Sequence, residues 1–148
     1  MTAKELAQRY QMAQHVENGV FAERHYESKE PGRAASGSIY YYVSPGERTE
    51  FHRIDCDEYW CYTAGEPLEV WAVDENGAVS MQLLGRDEGC EPVLYLRKGL
   101  IFASRSRGTK DGTFLSCITV PRFETAGFEL FSKEKMLRDY PQVKEFYE

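Results

Sequence analysis

The chain of 148 residues lacks any stretch approaching the roughly 18 apolar residues of a membrane helix. Its longest uncharged run, Ala34 to Gly46, is interrupted by Gly37, Pro45 and Gly46. Positive charge is also scarce. Lys and Arg number 18 against 24 Asp and Glu, a net charge of -6, which argues against a nucleic-acid groove with its basic footprint. A small anionic ligand held by one or two arginines stays admissible. The four cysteines, at 56, 61, 90 and 117, form no C-x-x-C pair. Zinc-ribbon and thioredoxin signatures are therefore missing, and the thiols read as small, partly buried hydrophobes. No G-x-S-x-G elbow surrounds Ser38 or Ser104. Gly85 to Gly89 lacks the Lys-Ser/Thr ending of a phosphate loop. No export leader is legible, so a reducing cytosol is the expected compartment.

What is present points to strands. Aromatic residues make up 14% of the chain, ten of them tyrosines, and aromatic side chains favour half-buried pleated surfaces. The length fits one domain, spanning 1–148. Thr2 to Glu5 forms a capping box, and Leu6, Tyr10 and Ala13 continue it at helical spacing, so a helix is expected over about 3–14. The turn dipeptide Asn18-Gly19 ends that pattern. Short β-branched and aromatic runs then follow at 37–44, 49–54, 58–63, 68–73, 78–84, 92–96, 101–104, 113–120 and 127–131. Turns such as Asp74 to Gly77 separate them. Roughly nine strands at 8–12-residue spacing predict a sandwich or barrel. A short helix is expected at Ser132 to Asp139, with Pro141 breaking it or opening a second turn.

The chemistry-bearing residues concentrate between Gly46 and Gly65. Strand parity places Glu50, His52 and Ile54 on one face and puts Glu58, Trp60 and Tyr62 together on another. A carboxylate flanked by two aromatics suits a cavity lining. Tyr40 and Tyr42 share a face with Ser38, and Tyr41 lies on the opposite face with Ile39 and Val43.

This stretch resembles the first cupin motif, G-x5-H-x-H-x3-4-E-x6-G, at Gly46, His52, Glu58 and Gly65, with Ile54 where the second histidine belongs. The second motif matches at Gly99 only. Arg97, Phe102 and Ser106 replace its proline, histidine and asparagine. A narrower pattern over about 12–131 is similar to a small cupin family catalogued as a domain of unknown function. It runs through His15 to Glu23, Ser38-Ile39-Tyr40, Phe51 to Trp60, Ala64 to Leu68, Leu84-Gly85 and Pro121 to Leu130. Ile101 stands where that family usually has a tryptophan.

The resemblance implies a mainly β double-stranded β-helix, a jelly-roll barrel with its core at about 20–131, a short N-terminal helix and a helical tail. It also implies a pocket inside the barrel and a homodimer that exchanges or pairs edge strands. A typical cupin holds a divalent metal with three histidines and a glutamate. Only His52 and Glu58 survive here, so no cofactor is expected, and a metal, if one binds, would be held by those two.

Metal-free cupins that epimerise sugar nucleotides use a histidine base facing a tyrosine acid. By that analogy His52 is the expected base, Glu58 its orienter and Tyr40 the acid, with Tyr42 and Tyr62 as alternatives. Trp60, Tyr62 and Phe102 would form the ligand walls. Glu17 and Glu23 would come from the N-terminal segment, and Arg53, Arg97, Arg105 or Arg107 could hold a phosphate or carboxylate at the rim. The leading expectation is an isomerase- or epimerase-like enzyme acting on a carbohydrate- or nucleotide-like molecule. A non-catalytic small-molecule receptor and a metal-dependent enzyme are the alternatives.

Overall fold

The structure is a computed structural model that describes residues 1–26 and 32–148. Eleven strands form two antiparallel sheets. In chain order they are β1 (Ala13–Gln14), β2 (Val20–Tyr26), β3 (Gly37–Val43), β4 (His52–Arg53), β5 (Asp57–Gly65), β6 (Leu68–Val73), β7 (Val79–Leu84), β8 (Val93–Leu96), β9 (Ile101–Ser106), β10 (Thr113–Val120) and β11 (Glu129–Leu130). The larger sheet has the order β1-β2-β3-β10-β5-β8, and the smaller has β11-β4-β9-β6-β7. This interleaved order is that of a jelly roll. Among the described residues the two sheets do not close into one hydrogen-bonded barrel.

Alternation along the strands builds the interior. Tyr41 and Val43 of β3, Trp60 of β5 and Leu115 of β10 meet Leu68 and Val70 of β6 and Phe102 of β9 between the sheets. The opposite faces of the same strands have different fates. Helix α1 (Ala3–Arg9) covers part of the larger sheet, packing Leu6 and Tyr10 on Tyr42 and Phe114. The tail, α2 (Lys133–Asp139) and a 3-10 segment at Pro141–Tyr147, covers the smaller sheet through Met136, Val143 and Phe146 on Trp71 and Val73. Strand β6 is consequently buried at all six positions although it contains Glu69.

The N-terminal helix is shorter than its periodicity predicts. Its capping box forms as expected, with the Glu5 amide donating to the Thr2 hydroxyl and the Thr2 amide donating to Glu5. Asp111 also accepts from the Ala3 and Lys4 amides. Beyond Arg9 the chain turns at Gln11, with φ 48°, and Ala13 and Gln14 pair with Phe21 and Val20 instead. Ladder bonds and the Asn18-Gly19 turn outweigh a helical match that rested on three residues. Both turn residues take positive φ, 76° and 72°. A Cβ on Gly19 would lie 2.8 Å from the Tyr41 ring, so glycine is required there on two counts.

The expected strand at 49–54 reduces to His52–Arg53. Its neighbours are extended but bond elsewhere. The Thr49 amide donates to Ser104, the Glu50 amide to the Glu17 carbonyl, and Phe51 accepts from Phe131. One of those bonds fastens the β1–β2 turn beside His52.

Candidate functional site

A cavity of about 310 Å³ opens between the sheets, under the β1–β2 turn. His52 on β4, Glu58 on β5, Cys117 on β10 and Glu17 on the turn form its polar floor. Phe21, Phe123 and Phe128 contribute apolar walls. Parity explains the floor. His52 and Ile54 face inward while Phe51 faces the tail, and Glu58 and Trp60 face inward while Tyr59 faces outward.

One hydrogen bond and one ion pair fix the imidazole of His52. Its Nδ1 lies 2.8 Å from the Glu50 carbonyl oxygen. A carbonyl only accepts, so Nδ1 carries the proton. Its Nε2 stands 2.6 Å from Glu17 Oε2. Phe102 and Phe128 rings lie against the imidazole at 4.3 and 5.4 Å between centroids. With Nδ1 committed as donor, the Nε2 to Oε2 contact needs a proton of its own. Burial disfavours a charged His52, but the attraction of Glu17 and the bonds to Glu17 and Glu50 outweigh it and raise its pKa. Glu17 responds in the opposite sense. Burial pushes its pKa up, and the His52 charge and hydrogen bond bring it below the ordinary value. Both shifts favour the imidazolium–carboxylate form of the pair. Glu17 Oε2 is buried without an aligned hydrogen bond, so the close contact is an ion pair.

Glu58 has a different environment. Its Oε1 accepts from the Trp60 indole N–H at 2.6 Å. Burial, and after it the charge of Glu17, pushes its pKa up to about 7. Cys117 is buried beside it, and burial with the nearby Glu58 and Glu17 charges keeps the thiol protonated. His15 accepts from the Glu17 amide at Nδ1. Burial lowers its pKa, so His15 is a neutral ring packed between Phe21 and Tyr41.

The structure brings His52, Glu58, Glu17 and Glu23 to the cavity as expected, with Glu23 near the rim and paired with Arg122. It removes others. Tyr40 points out of the sandwich and packs on Tyr10 and Phe114 beneath α1, so it is not positioned to act as the acid. The inward tyrosine is Tyr41, whose hydroxyl donates to the Asn18 carbonyl. Tyr62 donates to Gly65 and lies outside the lining. Trp60 and Phe102 form the layer behind the floor and act through Glu58 and His52.

Every arginine expected at the rim is engaged elsewhere. Arg53 pairs with Glu129, Arg97 with Glu75, and Arg105 and Arg107 with Glu69 on the outer side of the smaller sheet. Cys117, Phe123 and Phe128 were missed as lining. For Cys117 a signal existed, namely its shared parity with Leu115 and Thr119. For the two phenylalanines no periodic signal exists, because they lie on irregular chain.

A three-histidine metal centre does not fit these residues. Ile54 and Phe102 occupy the second and third histidine positions, and the Nε2 of His52 is already against Glu17. Among the described residues no group of three or more His, Cys, Asp or Glu is arranged to hold a metal ion.

Comparison with known proteins agrees with this geometry. Protein SO0799 from Shewanella oneidensis is similar at 33% identity, over 98% of this chain and 94% of that one, with a TM-score of 0.88. A hypothetical protein from Leishmania major is similar at 27% identity, over 96% and 94%, with a TM-score of 0.85. Oxalate decarboxylase from Bacillus subtilis shares the fold at 16% identity and a TM-score of 0.62, over 86% of this chain and 34% of that one. No curated protein matches. The model of the family described as Cupin superfamily (DUF985) matches residues 4–131, and the chain belongs to that family.

Proposed function

We propose that the cavity binds a small molecule and moves a proton next to a carbonyl group, as an isomerase or epimerase does. The observation that carries this reading is a pairing of unlike groups on one floor. Glu58 is tuned to titrate near neutrality, and the His52–Glu17 pair holds a proton close by. A base works best when its pKa lies near the operating pH. Groups whose environments push their pKa values apart divide acid and base roles between them.

The roles differ from the cupin analogy. A His52 held as imidazolium is a donor, so the base is Glu58. The Glu58 carboxylate takes the proton α to the carbonyl, and the C–H electron pair becomes the C=C of an enediol. The carbonyl oxygen receives the proton held by the His52–Glu17 pair. A proton then returns to the neighbouring carbon, or to the opposite face of the same carbon, while the enediol hydroxyl that becomes the carbonyl gives its proton back to the His52–Glu17 pair, so atoms and electrons balance. Activity should rise as Glu58 ionises through about pH 7 and fall when His52 loses its proton, giving a bell.

The test is proton exchange in D2O. Fructose, mannose and dihydroxyacetone would be incubated with the protein and followed by proton NMR. Loss of the C–H signal α to the carbonyl, abolished in Glu58→Gln, is expected. Exchange that survives Glu58→Gln would overturn the assignment. Binding of these compounds without exchange would replace the enzyme with a receptor.

A further inference from the structure

We propose that the cavity selects an uncharged or cationic, monosaccharide-sized ligand rich in hydroxyl or amino donors, and rejects its phosphorylated forms. The inference rests on the reading that this cavity is the ligand site, and it names the class of molecule the site takes.

Charge is the first argument. Three carboxylates face the cavity, from Glu17, Glu23 and Glu58. Among the described residues, the cations facing it are His52 and Arg122, and each is already in an ion pair, with Glu17 and Glu23 respectively. A phosphate entering here would meet carboxylates whose countercharges are spent. Like-charge contacts in a partly desolvated site cost several kcal/mol, which is a factor well above ten in affinity. Arg53, Arg97, Arg105 and Arg107 do not line the cavity and are each paired elsewhere, two of them behind the smaller sheet.

Hydrogen-bond capacity is the second argument. Glu17 is 5% exposed and lines the cavity, with its Oε2 covered and 2.6 Å from His52 Nε2, and Glu58 and Glu23 line it beside Glu17. Carboxylate oxygens that line a cavity are acceptors, and they are satisfied only by a ligand group that donates to them. A hydroxyl or an ammonium group does so, and a phosphate oxygen does not. Size and shape are the third. A volume of about 310 Å³ sits at the lower end of small-molecule sites, which start at about 300 Å³. It suits one sugar ring better than a nucleotide sugar. The walls of Phe21, Phe123 and Phe128 offer flat apolar surfaces to the C–H face of such a ring while the carboxylates meet its hydroxyls.

The experiment is isothermal titration calorimetry of the intact protein with glucose, glucosamine, glucose 6-phosphate and UDP-glucose. Glucose and glucosamine are expected to bind at least roughly tenfold more tightly than either phosphorylated compound. Glucosamine should gain most over glucose near pH 7, where Glu58 begins to ionise and the sugar ammonium is still charged. In Glu58→Gln one facing carboxylate is gone, so at pH 8 the handicap of glucose 6-phosphate against glucose should shrink by roughly tenfold. Should Glu58→Gln fail to fold, Glu23→Gln removes the carboxylate near the rim and is expected to shrink the same handicap.

A phosphorylated compound binding as tightly as its parent, or no binding by glucose or glucosamine, overturns the proposal. Failure here is distinct from failure of the enzyme reading. Binding without proton exchange leaves this selectivity standing, and exchange on a phosphorylated sugar refutes the selectivity while leaving the catalysis.

Discussion

The same three-residue device occurs twice in this molecule. Glu58-Tyr59-Trp60 and Glu69-Val70-Trp71 each place a tryptophan two residues after a glutamate on a strand, and in each the indole N–H donates to the carboxylate, at 2.6 and 3.0 Å. Both glutamates are buried, at 7% and 2% exposure. Their charge states diverge. Glu69 lies on the outer side of the smaller sheet. There burial pushes its pKa up, and the hydrogen bonds from Trp71, Arg107 and Arg105 outweigh it and keep the carboxylate ionised. Glu58 lies on the inner side, where its next neighbour in charge is another carboxylate, and its pKa rises to about 7. The indole sets the geometry in both places. The presence or absence of arginine decides which glutamate fastens the fold and which is free to exchange a proton.

The largest way to break the comparison is to remove the cation from the structural site. Arg105 bonds Glu69 through two nitrogens and also donates to the carbonyls of Glu145 and Phe146, so it ties the tail to the sheet. Arg105→Ala leaves a buried carboxylate with Arg107 as its cation and the Trp71 indole as its other donor. A loss of about 4 kcal/mol in urea denaturation is expected. A loss below about 1 kcal/mol would show that Glu69 is not held by charge.

Next in size is the pH dependence of stability from Glu58. Its folded pKa is above the unfolded value, so the folded state binds more protons. Stability is full below about pH 4.5 and declines as pH rises through about 7. Over that window the decline is worth about 3 kcal/mol. Glu58→Gln should flatten this slope, whereas Glu69→Gln should leave it in place. Equal slopes in Glu58→Gln and the unsubstituted protein would contradict the account.

The two tryptophans sharpen the contrast at a smaller scale. Trp71→Phe removes a hydrogen bond to an ionised group and should cost about 2 kcal/mol. Trp60→Phe removes an interaction that holds the Glu58 pKa down. The bell of proton exchange should therefore move its lower limb to higher pH, a shift that a purely structural tryptophan would not produce. Smallest is Tyr40→Phe, expected to change stability by less than about 0.5 kcal/mol and to leave sugar binding unchanged, because Tyr40 sits beneath α1.

The strands were legible where alternation is strong. Thr113–Val120 and Leu68–Val73 have the extents their sequences predict. Helix α1 and the stretch 49–54 were not, since the first is cut short by the adjacent β1–β2 ladder and the second is decided by partners remote in sequence. Within the site, His52 and Glu58 were legible from spacing, and Glu17 and Glu23 from the N-terminal family pattern. The choice between Tyr40 and Tyr41 was not, because three consecutive tyrosines satisfy either parity. Nor was the engagement of Arg53, Arg105 and Arg107, since charge pairing across strands follows register and a lone arginine does not reveal it. The swap of roles between His52 and Glu58 follows from Glu17 reaching the imidazole, a contact between residues 35 apart in sequence.

The most direct measurement is a carbon-13 NMR titration of the glutamate side-chain carboxyls, with Glu58→Gln and Glu69→Gln assigning the two signals. The account predicts one carboxyl with a midpoint near 7 that vanishes in Glu58→Gln. It also predicts that the Glu69 signal stays ionised down to below the ordinary range of about 4.5. A Glu58 carboxyl titrating with the exposed glutamates would contradict it, and would remove the base from the proposed chemistry.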